Sequence, residues 1–120
     1  MNLGDTFLLR APTEIRHLHV AIYCHEGTLV LVNVTTKRPP CDDSCIVQSG
    51  EHPFLRQESI VAYRHMKVID PVRSFYVEKQ GILKLYDPVS PELLERIQRG
   101  ARESAFSARK AQELIRRILV

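Results

Sequence analysis

The chain lacks any continuous apolar run of membrane-spanning length, so no transmembrane helix is expected. Its start, Met1-Asn2-Leu3-Gly4-Asp5, has neither the basic opening nor the apolar stretch of a secretory signal, and a cytoplasmic location is the expectation. Cysteine is scarce and odd in number. Cys24, Cys41 and Cys45 cannot form a closed disulfide framework, and free thiols persist best in a reducing compartment. The paired C-x-x-C knuckles of a zinc site are also missing, so Cys41-x-x-x-Cys45, with Cys24, His25 and His52 elsewhere, makes a poor tetrahedral set. No metal and no cofactor is expected. Charge of one sign is weak as well: the net charge is +3. Residues 1–87 hold ten basic and ten acidic side chains, and the excess lies in residues 88–120, with seven against four. Such a tail is compatible with nucleic acid but falls short of a strong electrostatic footprint.

What remains is an ordinary globular composition. With 120 residues, 44% apolar and 26% charged, the chain can bury one core, and a single domain spanning residues 1–120 is expected. Residues 6–10, 18–24, 28–34, 44–48, 59–70 and 82–85 read as strands, rich in Val, Ile and Leu or bounded by turn residues. Gly27, between the second and third, stands where a hairpin needs a positive φ. Pro39-Pro40 and Asp42-Asp43 mark a loop, and Pro71 stops the strand over 59–70. After Pro88 the period changes. Ser90 is placed as an N-cap with Pro91 at the first helical position, and Leu93, Leu94, Ile97 and Ala101 share a helical face. Gly100 is expected to weaken or end that helix. A second helix carries Ala111, Leu114, Ile115, Ile118 and Leu119 on its apolar stripe. The fold class is therefore mainly β: a small barrel or sandwich over residues 1–87, then a helical segment over 88–120.

The order of several short motifs resembles the PemK/MazF-like toxins. They are the Gly4-Asp5 opening, the strand ending Val34-Thr35-Thr36, the stretch Ile46-Val47-Gln48-Ser49-Gly50, the strand Ser59-Ile60-Val61-Ala62-Tyr63 and the closing Val89-Ser90-Pro91-Glu92-Leu93-Leu94. The resemblance covers roughly residues 4–101. It implies an SH3-like barrel that forms a homodimer. It also implies a metal-independent endoribonuclease that cuts single-stranded RNA and is neutralised by an antitoxin protein. Thr35 and Thr36 match the family's catalytic hydroxyl pair. The family's Arg-Pro before the second strand is absent: the matching place reads Arg16-His17-Leu18-His19. Either a histidine or Arg16 takes over that arginine's role, or the catalysis is altered or lost.

The chemical candidates follow from that choice. His17 and His19 share a strand face, and an imidazole titrates near neutrality, so either could move a proton; each could equally be an ordinary strand histidine. His52, in the turn Glu51-His52-Pro53-Phe54, could protonate a leaving group, or the turn could be structural with Phe54 plugging the barrel end. Thr35 and Thr36 could contact phosphate, or simply favour a strand end. Arg16, Lys37, Arg38 and Arg64, with Tyr63 to stack a base, suit single-stranded RNA, or form a solvated surface. Two functions are thus expected in competition: the endoribonuclease, and a non-catalytic barrel acting as a binding module for RNA or protein.

Overall fold

The computed structural model describes residues 1–9, 17–79 and 83–118. In chain order its elements are strands β1 (Thr6–Leu9), β2 (Leu18–His25), β3 (Thr28–Thr36), β4 (Ile46–Val47), β5 (Ser59–Val61) and β6 (Lys67–Ile69), helix α1 (Pro71–Lys79), strand β7 (Leu83–Tyr86), and helices α2 (Pro91–Glu103) and α3 (Arg109–Ile118). Arg10, Arg16, Ile82 and Leu119, which the sequence reading placed in strands, site and helix, lie outside the described residues.

The β2–β3 hairpin is the centre of the fold. Glu26 and Gly27 at its tip both have positive φ, 49° and 83°. That is the signature of the turn whose twist matches paired strands. A Cβ on Gly27 would also meet the ring of Pro71 at 2.9 Å, so the glycine is needed twice over. From the tip the strands pair down to Leu18 opposite Val34, with one bulge between Ala21 and Tyr23. The carbonyl of Ile22, in that bulge, accepts a hydrogen bond from Gln98 Nε2 at 3.0 Å. A buried group displaced from the ladder is thereby satisfied by a helix. Gly4, at φ 87°, donates to Ala21 O and accepts from Val89 N, which pins the start of the chain between β2 and the approach to α2.

The strands lie in the order β4-β5-β3-β2-β1-β7, with β6 also paired to β3; every pairing is antiparallel. Among the described residues no ladder joins β4 to β7, so the sheet is open at those edges. The loop between β4 and β5 nonetheless reaches the end of β7, where the Phe54 and Tyr86 rings lie 5.5 Å apart. One sheet face carries Leu18, Val20, Val30, Val32, Val34, Val47 and Val61. They form a single cluster with Leu93, Ile97, Ala101, Ala111 and Ile115 from α2 and α3. This alternation, core side against outer side, is what buries a sheet under helices. Among the described residues no helix is long and apolar enough to cross a membrane.

Three expectations need correction. The single strand over residues 59–70 is two strands, β5 and β6, separated by a 3₁₀ turn at Tyr63–His65. Tyr63 and Met66 are both buried, a spacing of three that a turn satisfies and an alternating strand does not. The two short strands line the same edge of β3, one at each end. Pro71 does not merely stop a strand; it opens α1, where a missing N–H costs nothing. Gly100 neither weakens nor ends α2, which runs on to Glu103. The glycine is the point where Tyr63 enters: a Cβ there would lie 2.2 Å from the tyrosine oxygen. That hydroxyl donates to Ile97 O at 2.7 Å. At the helix start the N-cap is as expected, with Ser90 Oγ accepting from Leu93 N at 3.1 Å.

Candidate functional site

The end of β3 lies beside the start of β2, because Leu18 pairs with Val34. His17, one residue before β2, and Thr35, one residue past that pair, thus come together from the two arms at the open end of the hairpin. Thr36 pairs with Ser59 across to β5, and Lys37 N extends the ladder to Glu58 O. Two cavities open here. One, of about 490 Å³, is lined by His17, Thr35, Thr36, Arg38, Arg56 and Ser59 among others. The other, of about 600 Å³, is lined by residues including His17, Asn33, Thr35, Arg64, His65 and Phe106. His17 and Thr35 belong to both, so they form a wall shared by two neighbouring spaces.

The charges sort the basic residues. Lys37 Nζ lies 3.1 Å from Glu58 Oε1, and that hydrogen bond holds the ammonium's pKa above its ordinary value. Lys37 is therefore a neutralised rim residue and lines neither cavity. Arg38, Arg56 and Arg64 have no ion pair among the described residues. Arg38 and Arg56 line the smaller cavity with no acidic side chain among its described lining residues, which suits an anion, and arginine suits phosphate geometry; Arg64 shares the larger cavity with the Asp42 carboxylate.

The three candidate histidines separate. Only His17 lines the cavities. His19 lies under the outer sheet face, its ring stacked on Phe7 at 5.2 Å. Burial there, reinforced by the positive Lys67 and by His17, pushes its pKa down to about 4, so it is neutral at pH 7 and a weak base. His52 is buried, only 2% exposed. Phe54 N donates to its Nδ1 at 3.1 Å, which puts the ring proton on Nε2, and Nε2 donates to Asp87 O at 2.5 Å. Thr6 Oγ1 donates to the same carbonyl at 2.6 Å. Both nitrogens of His52 are thus spent on holding the β4–β5 loop against the end of β7. Tyr63 borders the larger cavity but is completely buried, its hydroxyl bonded to Ile97 O, so it is not an exposed stacking surface. Arg16 lies outside the described residues.

Sequence reasoning missed Arg56, Ser59, Asn33, His65 and Phe106. The first two follow the turn that carries His52, and the last comes from the α2–α3 connection, 71 residues after Thr35 in the chain. Among the described residues no group of three or more His, Cys, Asp or Glu side chains is placed to hold a metal ion. No protein-family model matches the chain, and no curated protein or solved structure matches it.

Proposed function

We propose that the protein is a metal-independent endoribonuclease of the PemK/MazF-like kind, acting on single-stranded RNA. What supports this most is the convergence of His17, Thr35, Thr36 and Arg38, from two strands and a loop, on one open cavity that also receives Arg56. In this reading the phosphate sits in the smaller cavity. The ribose 2′-OH attacks the adjacent phosphorus, its proton is taken up, and the 5′-oxygen leaves with a proton. The products are a 2′,3′-cyclic phosphate and a 5′-hydroxyl. His17 is the proton carrier, because it is the only cavity-lining imidazole among the candidates. Arg38 and Arg56 balance the charge that develops on the phosphoryl oxygens, standing in for the absent Arg-Pro, and Thr35 and Thr36 donate hydroxyl hydrogen bonds to them. A closed SH3-like barrel, a homodimer, a cytoplasmic setting and an antitoxin partner belong to the same proposal. The His52 loop, which spans the gap between the sheet's two edges, is the feature that favours the barrel.

One observation favours a non-catalytic RNA-binding module instead: the smaller cavity is lined by one imidazole, His17, where acid and base roles call for two proton transfers, and His65 lines only the larger cavity. The experiment that separates these readings is incubation with a long single-stranded RNA in EDTA, followed by mapping of new 5′ ends. The endoribonuclease gives recurrent cuts at a short motif with 5′-hydroxyl termini. His17→Ala slows them by roughly 10²–10⁴-fold. Thr36→Ala also slows them. Absence of cuts by the wild type above the background of the His17→Ala and Thr36→Ala variants, with RNA still bound, would leave the binding module.

A further inference from the structure

The larger cavity holds a group of residues that phosphate chemistry does not explain. Arg64 Cζ lies 4.6 Å from the centroid of the Phe106 ring, so one face of the guanidinium is laid on an aromatic surface. Phe106 is 47% exposed, and its backbone is held in place by a chain of hydrogen bonds. Its backbone N donates to Ser104 Oγ at 3.1 Å, Ser104 Oγ donates to Asp42 Oδ2 at 2.6 Å, and Asp42 Oδ1 accepts from Ser44 N and Oγ. Gln112 Nε2 reaches Ser104 O at 3.1 Å from α3. Two loops distant in sequence are thus clipped together at the cavity's rim, and the platform they present is fixed before anything binds. At the cavity's inner side is Asn33, in the middle of β3, where its neighbours are Val and Leu and where asparagine is a poor strand former. Its Oδ1 is shielded from solvent and has no hydrogen-bond partner among the described residues. A buried unpaired amide oxygen is costly to keep and calls for a reason.

We propose that this cavity is a nucleobase subsite, an inference that rests on the RNA reading above. One unpaired base stacks on the Arg64–Phe106 pair and turns its polar edge to Asn33, whose amide rotates to bring its shielded oxygen to the base. Flat π-faces stack on guanidinium planes and aromatic rings, which is how proteins take bases splayed from a single strand. An amide supplies one donor and one acceptor, the complement a base edge needs. An apolar ligand would leave Asn33 and Arg64 unused. A bare phosphate would leave Phe106 without purpose. The shared wall of His17 and Thr35 places the base subsite next to the phosphate cavity, as the base and backbone of one nucleotide step require.

The test is binding, with cleavage removed. Labelled 2′-fluoro RNA hexamers of A, C and U have no 2′-OH nucleophile. Their affinities are measured by fluorescence anisotropy for the wild-type chain, Phe106→Ala and Asn33→Leu, beside hexamers in which one residue at a time is abasic. The wild type loses about tenfold in affinity when the base at one position is removed, and Phe106→Ala loses a similar factor on the intact hexamer. In Phe106→Ala the abasic substitution at that position no longer matters. Asn33→Leu narrows the difference between hexamers of different base, while circular dichroism confirms that the variant is folded. Equal binding by wild type and Phe106→Ala, or an abasic effect undiminished in that variant, overturns the subsite and leaves the RNA reading standing. Failure of every hexamer to bind either protein overturns both.

Discussion

At the scale of single residues, three histidines that look alike in the sequence have three separate fates. His17 is placed at the wall of two cavities, His52 is locked by both ring nitrogens, and His19 is held neutral under the sheet. The last of these has a consequence for stability. His19's folded pKa, about 4, lies below its unfolded value of 6.5. Between those values the unfolded chain binds a proton that the folded chain does not, so stability falls as the pH drops through that window and is fully present above it. The urea midpoint of the wild type is expected to fall between pH 7 and pH 5, and that of His19→Gln to fall less. Parallel pH dependences in the two proteins would refute this account. Thr35 and Thr36 were legible in the sequence through the resemblance in motif order, and Arg38 as one of a local pair of basic residues. Arg56, Asn33 and Phe106 were not, because only long-range packing carries them to the same place and no local pattern encodes that.

At the scale of elements, α2 is bonded to the sheet at three points. Arg96 bonds to Glu51 and to Ile46 O, Gln98 to Ile22 O, and Ile97 O accepts from Tyr63. β4, the bulge of β2 and the 3₁₀ turn are all held by successive residues of one helix. The closeness of the last contact depends on Gly100. Gly100→Ala would place a Cβ 2.9 Å from Tyr63 Cζ and 3.1 Å from Cys45 Cβ. The variant is expected to lose about 1–3 kcal/mol in urea unfolding, although alanine favours a helix more than glycine. Tyr63→Phe in the Gly100→Ala background removes the closest clash, so the two changes should cost less together than their sum, measurable as a coupling in a double-variant cycle. The hairpin and the Ser90 cap were readable from turn and cap chemistry, which are local. The split of residues 59–70 and the uninterrupted α2 were not, since both are decided by Tyr63 and Gly100 meeting across the core. The helix α1 left a local trace, Val72, Phe75 and Tyr76 at helical spacing behind a proline, but those side chains are exposed and make no core stripe.

At the scale of the whole molecule, charge is divided between the two halves of the chain. The basic surplus of the helical end includes the exposed Arg109, Lys110, Arg116 and Arg117, which line neither cavity. If RNA lies along the cavities, its backbone meets Arg38, Arg56 and Arg64 instead. Binding should then weaken with salt in proportion to the phosphates neutralised, and Arg56→Ala should reduce the logarithmic salt slope by about 0.7. The pair Arg109→Ala and Lys110→Ala should leave that slope unchanged. A slope that responds to the helical pair and not to Arg56 would place the RNA elsewhere on the surface. Finally, the wall that His17 and Thr35 form between the cavities turns the hairpin into a ruler. If a base is recognised on one side of it and RNA is cut on the other, the offset between the base that is read and the linkage that is cut is set by the thickness of that wall. Changes in the larger cavity would alter which RNAs are chosen, while the scissile step would stay at the same count of nucleotides from the chosen base.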